Sequence, residues 1–209
     1  FLSQGFYYLG DVKNAKKQCQ MILNSQSQNA KALYLMALIF IQEKKYDEAL
    51  KQFLATVETP ETAGPGRRAG DMRSPQINYF IGLAYDALGN KAKAKSYFTL
   101  STEQTIRGTG YVNYYQGLSF LKINNKAKAT EIFNSMIEEG NKRIKQGEEI
   151  DFFAKFGERE AENVQLSNAY LLKGLGYKGL GNTDAATENL RKAVELSASN
   201  LYAKVELTE

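Results

Sequence analysis

The stretch Gly82–Phe98, GLAYDALGNKAKAKSYF, decides the fold of this chain. In order, it contains a small residue, an aromatic residue, a turn, an alanine and a bulky residue: Gly82, Tyr85, Gly89-Asn90, Ala94 and Phe98. Two antiparallel helices approach closely only where side chains are small, and glycine and asparagine tolerate the left-handed conformation that ends a helix. The stretch therefore predicts a helical hairpin in which Gly82 faces Ala94 and the Gly-Asn pair ends the first helix.

Four further copies of this pattern occur in the chain of 209 residues. The small residue and the alanine are always twelve positions apart, at Ser3 and Ala15, Ala37 and Ala49, Gly117 and Ala129, and Gly174 and Ala186. The bulky residues of these copies are Cys19, Phe53, Phe133 and Leu190, and their turns are Gly10-Asp11, Lys44-Lys45, Asn124-Asn125 and Gly181-Asn182. Only Lys44-Lys45 departs from the glycine or asparagine pattern. A lone hairpin cannot bury its apolar face, so consecutive copies must stack.

These positions resemble the tetratricopeptide repeat, in which small, aromatic, alanine and phenylalanine positions recur over about 34 residues. The resemblance implies an all-α fold, an α-α superhelix (solenoid) of about five helix pairs with two insertions and a C-terminal capping helix. The predicted repeats are residues 1–28 (truncated), 29–58, 75–107, 108–140 and 164–198. The insertions are 58–74 and 141–163, the cap is 199–209, and all of them belong to one domain, 1–209.

The two insertions are predicted to differ in structure. The first is rich in glycine and proline, which favours an irregular loop. Its Arg67, Arg68 and Arg73 are candidates for binding an anion or an acidic partner, although a solvated loop fits the same residues. In the second, Ile137, Ile144 and Ile150 indicate that the preceding helix continues past its normal end. Phe152, Phe153 and Phe156 follow, as core packing or as an exposed patch for a partner.

Two longer stretches extend the resemblance. The first runs from Gly64-Pro65-Gly66-Arg67 to Asn78–Ala84, and the second from Glu148–Ala154 to Leu171–Gly181. Together they resemble the C-terminal repeat region of bacterial proteins of unknown function that carry a galactose-mutarotase-like domain before their repeats. This resemblance implies that the chain, which begins at Phe1, is the helical part of a larger protein. Its partner would then include an N-terminal domain of the same parent.

The composition argues against catalysis and against several classes of ligand. The chain has no histidine and one cysteine, which removes the commonest general base, the commonest transition-metal ligand and any internal disulfide. Acidic residues between Glu148 and Glu160 have no paired base or nucleophile, and Cys19 is predicted to be a small core residue. We therefore expect no enzyme activity, no catalytic residue, no metal and no other cofactor.

The charge and the apolar runs limit the class of partner further. A net charge of +4 without a concentrated basic stripe argues against nucleic acid, and the longest apolar run is too short to span a membrane. The compartment is not fixed by the sequence, although we favour the cytoplasm over the periplasm.

The predicted function is protein–protein interaction. In arrays of this kind the first helix of each pair lines a groove that binds a peptide or a partner helix. The predicted groove residues form two rows, Tyr34, Tyr79 and Tyr114 in one and Leu38, Leu83, Leu118 and Leu175 in the other. The same rows could instead pack the stack. An alternative function is an accessory or docking module of a larger bacterial carbohydrate-related enzyme.

Overall fold

The computed structural model describes the backbone of residues 2–58, 74–104, 106, 108–150 and 156–208, and the side chains of these residues except 58, 74, 147–150, 156–161 and 208. Every regular element in this part of the chain is an α-helix. The first six are α1 (Leu2–Tyr8), α2 (Val12–Ser25), α3 (Ala30–Gln42), α4 (Tyr46–Glu58), α5 (Ser74–Ala87) and α6 (Lys91–Glu103). The other five are α7 (Tyr111–Lys122), α8 (Lys126–Ile150), α9 (Phe156–Gly179), α10 (Thr183–Leu196) and α11 (Leu201–Thr208).

These helices confirm the predicted fold class, an all-α array of five hairpins with a C-terminal helix. The chain divides into two compact units, residues 1–104 with three hairpins and residues 105–209 with two hairpins and α11. The loop predicted at 58–74, with Arg67, Arg68 and Arg73, lies outside the described residues apart from the helix ends at Glu58 and Ser74.

In the first unit, the core joins neighbouring hairpins. One buried cluster contains Tyr34, Ala37, Leu38, Ala49, Leu50, Phe53, Ile77, Ile81 and Ala84, which come from α3, α4 and α5. A second cluster, Cys19 with Leu35 and Met36, joins α2 to α3. Since small residues, alanines and bulky residues of the repeat lie in these clusters, stacking buries what one hairpin would leave exposed.

In the second unit, glycines bring two long helices together. The prediction that the helix after Asn125 continues past its normal end is confirmed, since α8 extends to Ile150. A Cβ on Gly140 would lie 2.9 Å from the Ala169 carbonyl oxygen of α9. A Cβ on Gly176 of α9 would lie 2.7 Å from the Phe133 carbonyl oxygen of α8. Arg143 ties α8 to the loop before α7, donating from Nη2 to the Thr109 carbonyl at 2.8 Å.

In the hairpins that have a glycine on the first helix, its nearest neighbour differs from the one predicted. The atoms nearest to a Cβ built on Gly82 belong to the Phe98 ring, with Cε1 at 2.6 Å. A Cβ built on Gly174 would be nearest to Leu190, with Leu190 Cγ at 2.8 Å. The glycine was expected to face the alanine of the second helix, and at Gly174 the Ala186 carbonyl oxygen does lie 3.3 Å from the built Cβ, but the bulky residue is closer. The glycine accommodates the bulky side chain one turn further along, and the alanine is buried beside it.

All five hairpin turns share one geometry, including the one that departs in sequence. The first turn residue has a positive φ of 57° at Lys44, 62° at Asn124 and about 80° at Gly10, Gly89 and Gly181. The second residue of each turn donates its backbone N–H to the aromatic residue five positions earlier, as Asn90 does to the Tyr85 carbonyl at 2.9 Å. This pair of features is the Schellman ending of a helix.

The second turn residue has a role that the sequence interpretation missed. Its side chain caps the next helix, as when Asn90 Oδ1 accepts from the Lys93 backbone N–H at 3.1 Å. Asp11, Asn125 and Asn182 do the same for α2, α8 and α10. In these turns the second residue therefore serves both helices, because its backbone N–H closes the first and its side chain caps the next.

Replacing Gly82 by alanine is expected to lower the free energy of unfolding by about 1–3 kcal/mol, because the new methyl group would overlap the buried Phe98 ring. The control is Gly5→Ala in α1, where no atom lies within 4 Å and alanine favours a helix, so stability stays or rises by about 0.5–1 kcal/mol. Urea denaturation monitored by circular dichroism measures both. Equal effects of the two substitutions would contradict the close contact.

Exchanging the residues at two equivalent turns tests the left-handed position. Lys44→Gly is expected to raise the free energy of unfolding by about 1 kcal/mol, since it removes the cost of a left-handed non-glycine residue. Gly89→Lys introduces that cost and lowers stability by a similar amount. Thermal denaturation of both variants is the measurement, and a loss of stability in Lys44→Gly would show that the side chain is required there.

Candidate functional site

The predicted tyrosine row packs within the hairpins. Each tyrosine contacts the bulky residue of the second helix of its own pair, with ring centroids 6.1 Å apart for Tyr34 and Phe53 and 5.9 Å apart for Tyr79 and Phe98. Tyr114 and Phe133 repeat this contact at 6.0 Å. Tyr34 and Tyr114 are buried, with 5% and 7% of their surface exposed, whereas Tyr79 is half-buried. Packing the stack is therefore the role of at least two members of this row.

The leucine row divides in the same way. Leu38 is buried in the core of the first unit, and Leu175 is completely buried in the second. Leu83 on α5 and Leu118 on α7 are partly exposed. Direct contact between a partner and Tyr34, Leu38, Tyr114 or Leu175 does not fit their burial, because those side chains already contact the core. The surface candidates that remain are Tyr79, Leu83 and Leu118.

Tyr79 and Leu83 form the better-defined pair. They are four residues apart on α5, so they lie on one face of the helix. The Tyr79 ring is held edge-on by Phe80 at 5.5 Å and tilted against Phe98 at 5.9 Å. The partly exposed Tyr79 ring is thus held in place by two aromatic residues. A tyrosine side chain combines an apolar ring with a polar hydroxyl group.

A tyrosine cluster in the second unit was missed by the sequence analysis. The hydroxyl oxygens of Tyr111 and Tyr115 lie 2.6 Å apart, and the Tyr111 ring lies 4.7 Å from that of Tyr202 on α11. Lys178 of α9 donates to the Glu206 carboxylate of α11 at 2.9 Å and to its backbone carbonyl at 3.2 Å. The C-terminal helix is therefore tied to both α7 and α9. The spacing of Tyr111 and Tyr115 was visible in the sequence, but their long-range partner was not.

Cys19 is completely buried, in agreement with the predicted core position. Burial raises the pKa of its thiol above the ordinary value, although a hydrogen bond with Ser3 acts in the opposite direction. A raised pKa leaves less of the reactive thiolate at neutral pH, so this position favours packing over chemistry.

Several residues singled out in the sequence lie outside the part that the structure describes. These are Arg67, Arg68, Arg73, Phe152 and Phe153, together with the side chains of Phe156 and of the acidic residues between Glu148 and Glu160. Within the described side chains, no group of three or more aspartate, glutamate and cysteine residues is placed to hold a metal ion. A search of the described helices finds none that is both long enough and apolar enough to cross a membrane.

The hairpin geometry, the recurring small-to-bulky contact and the shared turn define the chain as an α-α solenoid of helical repeats. Three of its segments, residues 30–58, 75–104 and 167–200, match the family model described as tetratricopeptide repeat. The chain therefore contains tetratricopeptide repeats. The first two segments correspond to α3 with α4 and α5 with α6, and the third covers the end of α9 and α10.

One solved structure of a tetratricopeptide repeat protein is similar in fold, and two further structures match with lower scores. TTC0263, a thermophilic tetratricopeptide protein of Thermus thermophilus, is 17% identical, with a TM-score of 0.52 over 99% of this chain and 94% of that one. MamA is 19% identical, with a TM-score of 0.43 over 97% and 98%. YrrB, described as a tetratricopeptide protein with an unusual peptide-binding site, is 18% identical, with a TM-score of 0.43 over 96% and 86%. Identities this low show a likeness of fold alone. No curated protein matches the sequence.

The buried thiol of Cys19 gives a testable pH dependence. In the folded chain its reaction with an aromatic disulfide reagent is expected to be on the order of 100-fold slower than in urea-unfolded chain, because the side chain must first be exposed. Since the folded pKa is raised, the folded rate should also keep rising with pH after the unfolded rate has levelled off. Absorbance of the released thiolate follows both rates. Equal rates in folded and unfolded chain would show that Cys19 is accessible.

Proposed function

We propose that the chain is a non-catalytic protein-interaction scaffold that binds a peptide or partner domain through Tyr79 and Leu83 of α5, in the first unit. Tetratricopeptide repeats generally serve as protein-interaction scaffolds and are typically not enzymes, which supports the class of function. The observation that carries the proposal is that Tyr79 and Leu83 are both partly exposed, and that the Tyr79 ring is held by Phe98 and Phe80.

The chemistry of this pair favours an apolar or aromatic segment of the partner. A tyrosine ring that is already fixed loses little conformational entropy on binding, and its hydroxyl can form a hydrogen bond at the edge of the contact. Leu83, one turn further along α5, adds apolar area without a charge. A lysine and asparagine clamp for a C-terminal carboxylate, as chaperone-binding repeats have, is not available from Tyr34, Leu38, Tyr79 and Leu83.

The identity of the partner is a finer proposal. The resemblance to bacterial proteins with a galactose-mutarotase-like domain suggests an N-terminal domain of a larger parent protein as one partner. In that case the chain would act as an accessory or docking module of a carbohydrate-related enzyme. The loop that would dock, with Arg67, Arg68 and Arg73, lies outside the described residues, so this alternative rests on the sequence alone.

Peptides selected from a displayed library on the wild-type chain provide the test. For those that bind, the double substitution Tyr79→Ala with Leu83→Ala is expected to weaken binding about 10- to 100-fold, since central aromatic and apolar contacts carry most of the binding energy. Isothermal titration calorimetry gives the dissociation constants. Tyr79→Phe, which keeps the ring, should retain most of the affinity.

The matched control is Leu100→Ala on α6, which removes an exposed apolar side chain (42%) away from the proposed surface. It should leave the dissociation constant unchanged. Circular dichroism must show that each variant is folded. If the selected peptides bind the folded double variant as tightly as wild type, α5 is not the binding surface.

A further inference from the structure

Lysines of α2 and of the turn between α3 and α4 form a cluster around the Glu43 carboxylate. Lys16 Nζ lies 2.7 Å from Glu43 Oε1, and Lys45 Nζ lies 2.8 Å from Glu43 Oε2, so a single glutamate pairs with two lysines. These two lysines hold the pKa of the Glu43 carboxyl below its usual value. Lys13, Lys17 and Lys44 belong to the same region and are exposed. Asp11, the N-cap of α2, adds a second carboxylate, and hydrogen bonds from Asn14, helped by Lys13, lower its pKa. The cluster therefore has an excess of positive charge.

A shallow depression of about 540 Å³ lies within this cluster. It is lined by Val12, Lys13, Lys16, Lys17, Gln20 and Glu43. The Lys16 ammonium is fixed from two directions, by Glu43 and by the Phe40 ring, whose centroid is 4.8 Å away. The depression thus has an ordered cationic wall and an apolar residue, Val12, in its lining.

Exposed apolar side chains flank the lysines. Leu9, just before the first hairpin turn, is 66% exposed, and Met21 on α2 is 56% exposed. Lys13, Lys17 and Met21 follow one another at intervals of four residues, so they lie along one face of α2. Together, these lysines and apolar side chains give this face of α2 an amphipathic surface.

The folding of α2 does not require these lysines. Its first turn contains no acidic residue, and Lys13 lies there against the positive end of the helix dipole. The first turns of α4 and α10 instead contain Asp47 with Glu48, and Asp184, which is the arrangement that stabilises a helix. The first turns of α6 and α8 also lack an acidic residue and contain lysines, so lysines at this position recur in the repeat without stabilising the helix start.

We propose that this face of α2 is a second docking surface, which binds an acidic amphipathic protein segment. Carboxylates of the segment pair with Lys13, Lys17 and Lys44, and its apolar side chains cover Leu9 and Met21. A protein segment fits better than a lipid surface because the site is concave and contains Glu43. A peptide can place its carboxylates around that glutamate, whereas a continuous anionic plane would be repelled by it. This surface does not include Tyr79 or Leu83, so the proposal does not depend on the function proposed for those two residues.

The probe is a fluorescein-labelled synthetic helical peptide with glutamate and leucine on one face, measured by fluorescence anisotropy. One comparison peptide carries glutamine in place of glutamate, and the other carries alanine in place of leucine. Each change is expected to weaken binding at least about 10-fold, and binding of the parent peptide should fall as salt is added. Lys13→Glu with Lys17→Glu should also weaken it at least about 10-fold.

Two controls separate this result from unfolding and from net charge. Because Lys13→Glu places a carboxylate in the first turn of α2, where it is favourable, and Lys17 is an exposed residue of the second turn, the double variant should melt no lower than wild type. Lys142→Glu with Lys145→Glu reverses two exposed lysines of α8, which changes the net charge equally, and should leave the dissociation constant within about 2-fold. Tyr79→Ala with Leu83→Ala should likewise have no effect on this peptide.

Three results would overturn the proposal. The first is absence of peptide binding, and the second is an equal loss of binding in the α2 and α8 double variants. The third is binding of the wild-type chain to phosphatidylserine vesicles but not to the peptide, lost in the α2 variant, which would assign the lysines to a membrane surface instead.

Discussion

One contact recurs in three of the five hairpins: a glycine on the first helix leaves room for a bulky side chain sixteen positions later on the second. Phe98 fills the space beside Gly82, Phe133 that beside Gly117, and Leu190 that beside Gly174. A side chain on the glycine would push the helices apart, and a smaller partner would leave a cavity. In these three hairpins the pair therefore limits how closely the two helices can pack.

Other features of the repeat can be understood as consequences of that contact. The tyrosine three positions before the glycine packs on the same bulky residue from the other side, as Tyr79 does on Phe98. The aromatic residue three positions after the glycine provides the carbonyl that accepts the bond closing the turn, as Tyr85 does for Asn90. Function is limited by the same packing. A tyrosine used in this way is available to a partner only where the stack leaves its outer edge uncovered, as at Tyr79.

Much of the fold could be predicted from the sequence, because it depends on residue types at short, constant spacings. The five hairpins, the C-terminal helix and the positive φ at Gly10, Gly89, Asn124 and Gly181 follow from local chemistry. The left-handed conformation of Lys44 could not be predicted from its residue type, which disfavours it, although the repeat spacing places a turn there. The partner of the glycine was assigned to the alanine because both are small, but the space beside a glycine is filled by the nearest large side chain.

The candidate surface was less predictable than the fold. Equivalent positions in a repeat have equal spacing but unequal burial, because burial depends on what each neighbouring hairpin contributes. Leu83 and Leu175 occupy the same repeat position, yet one is partly exposed and the other fully buried. The contact between Tyr111 and Tyr202 joins residues 91 positions apart, which no local pattern encodes.

A double-mutant cycle on Gly82 and Phe98 tests the central contact most directly. The variants are Gly82→Ala, Phe98→Leu and the two combined, with free energies of unfolding from urea titrations. If Gly82 provides space for the Phe98 ring, the smaller leucine should relieve much of the cost of the alanine, with a coupling energy of about 1 kcal/mol or more. Additive effects within about 0.5 kcal/mol would contradict the account, because they would show that the two residues act independently.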